Sequence, residues 1–263
     1  MTVYKYLIIG GGIAADAAVS GIRESDKDGS IGLIASEEHP PYNRPPLSKA
    51  LWKNEPEEVL WRKTAKQNAN LHLGRTAVSL DPSKKTVTDD EGNQYGYEKL
   101  LIATGGRVNV LPFDVDGIIY YRTYNDYKAL REMDSKGKNF LVIGGGFIGS
   151  EIAAAIRMND NHVTMIFPEQ GICAGIFPGS LSAHMNEYYT GKGVDVIPED
   201  RVKNIERSGA GYSVTTEKGK AMDVDLIVAV GGVGGTCCRS VTPGKLSTRA
   251  SKAATSSGWM SMK

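Results

Sequence analysis

Cysteine is scarce in this sequence, and its scarcity excludes several classes of site. Only Cys173, Cys237 and Cys238 are present among 263 residues. They form no C-x-x-C pair and no cluster with the four histidines, so the sequence predicts neither a disulfide framework nor a metal site. We expect Cys173, which has no neighbouring thiol in the sequence, to be an inert small apolar residue.

Excess charge of one sign and long apolar runs are also absent. With 31 basic and 30 acidic residues the net charge is +1, which argues against nucleic acid as a partner. No apolar run approaches the roughly 20 residues that a membrane-spanning helix needs. The first strand-like run begins almost at Met1 and leaves no room for a signal peptide. We therefore expect a cytoplasmic protein without membrane insertion.

The most informative stretch runs from Asn139 to Ala154 and combines an apolar strand, three consecutive glycines and an amphipathic helix. Gly144, Gly146 and Gly149 match G-x-G-x-x-G at the strand-to-helix turn. In this motif the first glycine permits a tight turn, the second lets the backbone approach a pyrophosphate, and the third allows close packing of helix and strand. The helix N-terminus directs free N–H groups at that anion. The stretch predicts a dinucleotide site.

The same motif occurs a second time near the N-terminus. After the apolar run Tyr4–Ile9, the residues Gly10, Gly12 and Ala15 match its G-x-G-x-x-A form. One glycine motif is weak evidence because a structural turn can mimic it. Two motifs, each between a strand and an Ala-rich helix, argue against chance. The sequence therefore predicts an α/β protein with two Rossmann-like dinucleotide-binding domains, each built on a three-layer parallel sheet.

An acidic residue follows the second predicted strand of each domain, where a carboxylate can accept the ribose hydroxyls of a bound adenosine. These residues are Glu37 and Glu169, and Glu169 lies about 20 residues beyond Gly149, as the motif requires. No Arg or Lys follows Glu169 before Lys192, so nothing would hold a 2′-phosphate and NADH is preferred over NADPH. The alternative for both acids is a solvated loop position.

A proline-rich loop, His39–Lys49, contains four prolines and can be neither helix nor central strand. Such a rigid loop is suited to holding Arg44 and Lys49 in place for an anionic ligand, because little chain entropy is lost on binding. The alternative is a surface turn with incidental charges. Thr104 and Gly105 follow the predicted apolar strand Lys99–Ala103 and are small residues that let a backbone approach a ligand.

Short β-rich segments separated by turns predict an antiparallel insert in each domain. We expect Trp52 and Trp61 to be packing anchors and His72 to be a structural histidine between two leucines. The predicted insert segments are Leu71–Leu73, Thr76–Leu80, Thr86–Thr88 and Gln94–Tyr97 in the first domain, and Val202–Glu206, Gly211–Thr216 and Ala221–Asp223 in the second.

Four segments, in this order and spacing, resemble the two-dinucleotide flavoprotein reductases of the pyridine nucleotide-disulfide oxidoreductase superfamily. They are Tyr6–Gly12, Pro41–Lys49, Ile102–Gly106 and Gly144–Glu151. Within that superfamily the sequence is most similar to apoptosis-inducing-factor-type NADH oxidoreductases, followed by oxygenase-coupled ferredoxin reductases. The resemblance implies FAD on the first glycine motif and NADH on the second. Hydride would pass from NADH to the flavin, and electrons would leave to an acceptor such as a ferredoxin- or rubredoxin-type protein, a quinone or oxygen.

The resemblance also implies roles for single residues. Lys49 matches the lysine beside the flavin's reactive ring, Glu151 matches its ion-pair partner, and Phe147 matches the aromatic gate between flavin and nicotinamide; these three are the predicted catalytic residues. Arg44 matches an FAD-contacting arginine. A first-turn acid that complements the helix dipole is an alternative reading of Glu151, and both readings can hold. The predicted cofactor-binding residues are Gly10, Gly12, Ala15, Glu37, Arg44, Lys49, Thr104, Gly105, Gly144, Gly146, Phe147, Ile148, Gly149 and Glu169.

Thiol chemistry is disfavoured, because the disulfide-reducing branches need a cysteine beside the flavin where this sequence has Lys49. We expect an FAD-binding domain over residues 1–113, an NAD-binding domain over 114–230 and a polar tail over 231–263. The resemblance further leads us to expect that the second part of the FAD domain and the C-terminal interface domain of the family are missing. For the tail we hypothesise a shifted reading frame, because the codons of Trp259 and Met260 contain an Asp codon in another frame; a genuine polar tail is the alternative.

Two functions follow from these observations. The first is an NADH-dependent FAD oxidoreductase, and the alternative is a non-catalytic nucleotide-binding fragment of such an enzyme with impaired FAD binding. The balanced charge opposes a third class, an interaction or nucleic-acid-binding protein. A homodimer is left open.

Overall fold

The computed structural model of the chain describes residues 1–235, 241–242, 245–246 and 259–260. Most of the predicted polar tail, with its hypothesised frame shift and with Cys237 and Cys238, lies outside the described residues. The chain forms two compact units: unit 1 contains Met1–Asn43, Glu57–Arg107 and the described residues from Val233 onward, and unit 2 contains Arg44–Pro56 and Val108–Gly232. The assignment of residues 1–113 to FAD and 114–230 to NAD stays a prediction.

Unit 1 is built on a mixed sheet with one long helix. A short strand, β7 (Gly106–Val108), follows its last long strand and ends at the first residue of the next segment of unit 2. Its other elements up to that point are β1 (Thr2–Ile9), α1 (Ile13–Ser25), β2 (Ile31–Ala35), β3 (Ala69–Leu73), β4 (Ala77–Asp81), β5 (Thr86–Asp89) and β6 (Gln94–Ile102).

The strand order in unit 1 is β3-β2-β1-β6-β5-β4. The four strands β3, β2, β1 and β6 are parallel, whereas β5 and β4 add to the sheet in antiparallel fashion. Every residue of β2 is buried, as expected for a strand covered on both faces. Helix α1 directs Ala15, Val19 and Ile22 onto the sheet at helical spacing.

One detail of the first predicted insert is wrong, and another is confirmed in part. Leu71–Leu73 belongs to β3, which pairs with β2 in parallel and extends the main sheet. Gln94–Tyr97 is the start of the long strand β6, which pairs with β1 in parallel along its length and with β5 in antiparallel fashion at its start. The antiparallel pairing of Gln94–Tyr97 is thus confirmed, whereas Leu71–Leu73 was misassigned because local sequence shows that a segment is extended but not which distant strand pairs with it.

Unit 2 contains a parallel sheet, a smaller antiparallel sheet and three helices. Its first segment, Arg44–Pro56, contains two short 3₁₀ turns, Pro45–Ser48 and Ala50–Lys53. Its longer elements are β8 (Ile119–Tyr120), α2 (Tyr124–Met133), β9 (Asn139–Ile143), α3 (Phe147–Met158), β10 (His162–Ile166), α4 (Gly179–Gly191), β11 (Val194–Ile197), β12 (Val202–Ser208), β13 (Gly211–Thr216), β14 (Ala221–Val224) and β15 (Leu226–Ala229).

The parallel sheet of unit 2 has the order β11-β10-β9-β15-β8. Its first four strands, β11-β10-β9-β15, have the same order as β3-β2-β1-β6 in unit 1. In both sheets the glycine turn follows the third strand of this order, which is β1 in unit 1 and β9 in unit 2. The second antiparallel insert is confirmed as β12-β13-β14. The expected α/β architecture with parallel sheets and antiparallel inserts is therefore confirmed, and the carboxyl ends of β1 and β9 are the positions where this fold binds ligands.

Helix α2 was not predicted, although its start carries a capping box. Thr123 accepts a hydrogen bond from the backbone N–H of Asp126, whose carboxylate accepts one from the backbone N–H of Thr123. Beyond Gly232 the described residues add four further short strands, of which β19 pairs with β6 in antiparallel fashion. Their bounds are β16 (Val233–Gly235), β17 (Val241–Thr242), β18 (Lys245–Leu246) and β19 (Trp259–Met260).

A helix that crosses a bilayer needs about 20 predominantly apolar residues. Among the described residues, no helix is both long and apolar enough to cross a membrane.

Candidate functional site

The turn between β9 and α3 in unit 2 depends on two of its glycines. Gly144 has φ +126°, and a Cβ added to it would lie 2.3 Å from the carbonyl oxygen of Val230. A Cβ added to Gly149 would lie 2.1 Å from the carbonyl oxygen of Gly144. A side chain at either position would displace backbone, so these glycines are required by the turn itself.

Gly146 differs from these two because nothing lies within 4 Å of the Cβ that it lacks. It is the N-cap residue of α3, and no side chain caps the helix there. The first N–H groups of α3 are therefore available as hydrogen-bond donors to a ligand on this open side, as binding of a pyrophosphate requires. Two apolar side chains flank the opening: Phe147 is 48% exposed and Ile148 is 42% exposed. The residues present fit a dinucleotide.

One turn into α3, Glu151 accepts from two donors of the proline-rich loop. The Nζ atom of Lys49 lies 2.7 Å from Oε1 of Glu151, so the expected ion pair is present. The hydroxyl of Ser48 donates to Oε2 of the same carboxylate at 2.6 Å. Each carboxylate oxygen therefore has a donor from the loop. The side chains of Lys49 and Glu151 remain 53% and 24% exposed, which leaves the ammonium accessible.

The loop that carries Ser48 and Lys49 is attached to the rest of unit 2 through backbone carbonyls. The carbonyl oxygen of Leu47 accepts from the indole N–H of Trp52 at 2.9 Å and from the Tyr121 hydroxyl at 2.5 Å. Arg44 donates to the carbonyl oxygen of Arg122 at 2.8 Å. Trp52 is buried, as predicted for a packing anchor. These bonds hold the loop in one conformation and so limit where Lys49 can reach.

Glu169 and Cys173 both lie in the segment after β10. Glu169 is exposed, and its carbonyl oxygen accepts from the backbone N–H of Glu199 at 2.9 Å, which ties together the loops after β10 and β11. Cys173 is the free cysteine of the described residues and is 5% exposed. Burial raises the pKa of its thiol, while a hydrogen bond with Ser150 opposes the rise. A thiol with a raised pKa is a poor nucleophile, as expected for an inert residue.

The turn between β1 and α1 in unit 1 has the same geometry. Gly10 has φ +133°, and an added Cβ would lie 2.1 Å from the carbonyl oxygen of Ala103. Gly12 is the N-cap of α1, has no side-chain cap and has nothing within 4 Å of its missing Cβ. Ala15 is fully buried against the sheet. In both motifs the backbone packs against the first glycine, whereas nothing lies within 4 Å of the missing Cβ of the second. This shared geometry supports a dinucleotide at each turn.

The other residues predicted for unit 1 flank this turn along the sheet. Glu37 lies just beyond β2 and accepts a hydrogen bond of 2.5 Å from the hydroxyl of the buried Tyr42. Thr104 and Gly105 follow β6, and Gly105 has φ +70°. The predicted residues that unit 2 contains are Arg44, Lys49, Gly144, Gly146, Phe147, Ile148, Gly149, Glu151 and Glu169. The roles of all these residues toward a cofactor stay predictions.

Sequence reasoning assigned no role to Asp16, Ser48 or Tyr121. Asp16 is 3% exposed in the first turn of α1, where Arg62 Nε donates to it at 2.7 Å and the Thr64 hydroxyl at 2.5 Å. A signal for Asp16 exists in the sequence, since a charged residue on the apolar stripe of a helix requires a buried partner. Ser48 gives no such signal, because its partner Glu151 is 103 residues away.

Comparison with known proteins gave matches over most of the chain. The family model of the pyridine nucleotide-disulphide oxidoreductases matches residues 4–240. Mitochondrial apoptosis-inducing factor 1 of Dictyostelium discoideum is 36% identical over 259 residues, which cover 88% of this chain and 49% of that protein. Monodehydroascorbate reductase 3 of Arabidopsis thaliana is 31% identical over 272 residues, with 92% and 61% covered.

Among solved structures, the reductase in the covalent putidaredoxin reductase–putidaredoxin complex is similar with a TM-score of 0.81 and 29% identity, over 88% of this chain and 59% of that one. The chain thus spans about half to three fifths of the length of these relatives. Homologues in this family use FAD and NAD(P)H. On the match over residues 4–240, the chain belongs to the pyridine nucleotide-disulphide oxidoreductase family.

Proposed function

We propose that this protein is an FAD-dependent oxidoreductase that passes hydride from NADH to the flavin. Electrons then leave to an acceptor, for which a ferredoxin- or rubredoxin-type protein, a quinone and oxygen are the candidates. When bound, FAD supplies the two-electron chemistry that no side chain offers. The proposal places FAD on the turn with Gly10 and Gly12 and NADH on the turn with Gly144 and Gly146. A cytoplasmic location is part of the proposal.

The observation that carries this proposal is the Lys49–Glu151 ion pair of 2.7 Å, one helical turn beyond the open glycine turn of unit 2. A carboxylate at this distance keeps the ammonium oriented. A fixed ammonium stabilises negative charge that develops on a bound ring system, because it needs no reorganisation when the charge forms. Phe147, with nearly half of its side chain exposed, offers an aromatic surface beside the turn.

NADH is preferred over NADPH in this proposal because of Glu169. Its exposed carboxylate follows β10, where a Rossmann-type fold contacts the adenosine ribose. A carboxylate accepts hydrogen bonds from ribose hydroxyls and repels a 2′-phosphate. Exposed Lys192, at the end of α4, is the first Arg or Lys after Glu169, so no arginine or lysine near Glu169 in sequence would hold a 2′-phosphate.

The absorption spectrum of the purified chain tests the proposal. We expect a yellow protein whose flavin absorbance bleaches on addition of NADH. Lys49→Met and Glu151→Gln should retain the bound flavin and slow the bleaching, because each removes one member of the pair. Lys53→Met is the matched control, since Lys53 is an exposed lysine of the next 3₁₀ turn, and this variant should bleach at the wild-type rate. A yellow protein that NADH does not bleach would overturn the proposal.

A second candidate is a non-catalytic nucleotide-binding fragment with impaired FAD binding. It is favoured by one observation: the first N–H groups of α3 have no side-chain cap at the open turn of Gly146, where a pyrophosphate can bind whether or not a flavin is present. This candidate predicts a colourless protein that does not take up added FAD but binds NADH. Quenching of protein fluorescence by NADH in the colourless protein would establish it, and the Gly146→Ala variant should lose that quenching.

A further inference from the structure

The carboxylate of Glu151 is shared between a charged donor and a neutral one. Lys49 Nζ lies 2.7 Å from Oε1, and Ser48 Oγ lies 2.6 Å from Oε2. The Ser48 hydroxyl has a second acceptor in reach, the carbonyl oxygen of Pro45, but at 3.4 Å. Because a hydroxyl has one proton and charge-assisted bonds are the shorter and stronger ones, the proton is donated to Glu151.

The two donors differ in how firmly they are held. Lys49 has a flexible four-carbon stem with 53% of its side chain exposed, whereas Ser48 is 7% exposed. A part-exposed ion pair fixes geometry less firmly than a buried hydrogen bond does, because water competes for both charges and side-chain entropy opposes the contact. A buried hydroxyl on a short side chain has neither weakness. Ser48 is therefore the better anchor for the carboxylate.

The backbone that carries Ser48 is itself rigid. Ser48 ends the 3₁₀ turn Pro45–Ser48, in which two prolines restrict the torsions. The carbonyl oxygen of the preceding Leu47 is held by Trp52 and Tyr121. The hydroxyl thus has a defined position from which to orient Glu151.

We propose that Ser48 is a positioning residue of the candidate active site, which fixes one carboxylate oxygen of Glu151 so that the other faces Lys49. Ser48 acts through Glu151 and contacts no reacting atom. The inference deepens the proposed function and rests on it. It assigns a task to a serine that neither the glycine motifs nor the predicted catalytic set includes.

The reactivity of Lys49 toward an amine-acylating reagent tests this directly and needs no bound flavin. Only an amine that has left its carboxylate and lost its proton can attack a carbonyl carbon of acetic anhydride, which forms the amide and releases acetate. Mass spectrometry of peptides gives the acylation rate at each lysine. Lys136 is the internal control, because it forms a 2.8 Å ion pair with Asp160 in the same unit and Ser48 is not part of that pair. Its rate should be the same in every variant.

We expect Glu151→Gln to raise the acylation rate of Lys49 about fivefold, as loss of a part-exposed ion pair allows. Ser48→Ala should raise it about twofold, because the carboxylate keeps its charge but loses one anchoring hydrogen bond. Ser48→Thr, which retains the hydroxyl, should return the rate to the wild-type value. Ser48→Cys, which keeps the size but is a weak donor, should resemble Ser48→Ala and carries the test if the alanine variant does not fold.

Equal Lys49 rates in the wild type, Ser48→Ala and Ser48→Cys, with a raised rate in Glu151→Gln, would overturn the inference. In the flavin-loaded protein, Ser48→Ala should slow flavin reduction at saturating NADH without changing the dissociation constant for NADH. A purely structural serine would alter both or neither. The proposed function and the positioning role can fail separately. If the purified chain is colourless but the Ser48 variants still change the acylation rate of Lys49, the proposed function fails and the contact between Ser48 and Glu151 is supported.

Discussion

The Tyr121 hydroxyl donates a hydrogen bond of 2.5 Å to the carbonyl oxygen of Leu47, which also accepts the Trp52 indole N–H at 2.9 Å. Tyr121 is 3% exposed, and burial raises the pKa of its hydroxyl far above the ordinary value. The hydroxyl therefore remains a donor at every pH at which the fold is intact. Because Leu47 precedes Ser48 and Lys49, this contact holds the backbone of the candidate catalytic loop.

We predict that Tyr121→Phe lowers the free energy of unfolding of unit 2 by about 1 kcal/mol, the contribution of one intramolecular hydrogen bond. The ring and its packing are retained, so the loss reports the hydroxyl alone. Denaturant unfolding followed by tryptophan fluorescence measures it, since Trp52 shares the acceptor.

Tyr188→Phe is the matched control, because Tyr188 is 52% exposed on α4 and its hydroxyl removal should leave the midpoint unchanged. If both variants unfold at the wild-type midpoint, the Tyr121 hydroxyl does not hold the loop.

The two glycines of the β9–α3 turn should respond to the same substitution in opposite ways. Gly144→Ala places a Cβ 2.3 Å from the carbonyl oxygen of Val230 at φ +126°, so we expect a loss of more than about 2 kcal/mol of stability. Gly146→Ala meets nothing within 4 Å and should fold with a wild-type melting temperature. Its methyl group would occupy the open side of the turn, so the dissociation constant for NADH should rise about tenfold or more.

The corresponding glycines of unit 1, Gly10 and Gly12, test whether the loss of NADH affinity is specific to the turn in unit 2. Gly10→Ala should destabilise and Gly12→Ala should not, because Gly10 is closed against Ala103 and Gly12 is open. Gly12→Ala should leave NADH binding intact, whereas Gly146→Ala should weaken it. Equal NADH affinity in the wild type and Gly146→Ala would contradict the placement of the pyrophosphate.

Much of the fold could be predicted because its signals are local. The glycine turns, the buried strands β2 and β9 and the three strands of the second insert each have a pattern within ten or so residues. The direction of β3 could not be predicted, because it depends on pairing with β2 across a long intervening segment. Helix α2 was missed although its capping box is local, since its apolar positions are mostly tyrosines.

The candidate site divides in the same way. Lys49 and Glu151 were paired through resemblance to a family, and the structure contains the ion pair. Ser48 and Tyr121 were not predicted, because each is defined by a contact with a residue far away in sequence and no periodicity reports such contacts. Asp16 was missed although its position on the apolar stripe of α1 indicates a buried partner.

Glu169 should determine the preference between the two nicotinamide cofactors. In Glu169→Gln we expect the dissociation constant for NADH to rise about tenfold, because a charge-assisted hydrogen bond becomes a neutral one. NADPH should bind more tightly than to the wild type, because the repulsion of its 2′-phosphate is removed. Titration with both nucleotides measures the ratio of the dissociation constants for NADPH and NADH. Glu187→Gln, an exposed acid on α4, should leave the ratio unchanged, and an unchanged ratio in Glu169→Gln would remove Glu169 from the ribose site.

His72 should make the stability of unit 1 depend on pH. Its Nε2 lies 2.9 Å from the Tyr4 hydroxyl, and its ring packs on that of Tyr95 with 4.6 Å between centroids. Burial lowers its pKa below the ordinary 6.5, with the charge of Arg75 acting in the same direction and that of Asp89 opposing it. The unfolded chain therefore binds a proton at higher pH than the folded one. Stability should be constant above about pH 6.5 and fall as the pH drops below that value.

Urea unfolding at intervals between pH 8 and pH 5 measures this slope, and His72→Gln should flatten it because glutamine keeps a hydrogen-bonding group and does not titrate. Asp89 titrates in a separate window. Burial would raise its pKa, but hydrogen bonds from Asn93 and Tyr95 lower it from 3.8, so its stabilisation is lost only at more acidic pH. A slope between pH 6.5 and pH 5 that persists unchanged in His72→Gln would assign the effect to another group.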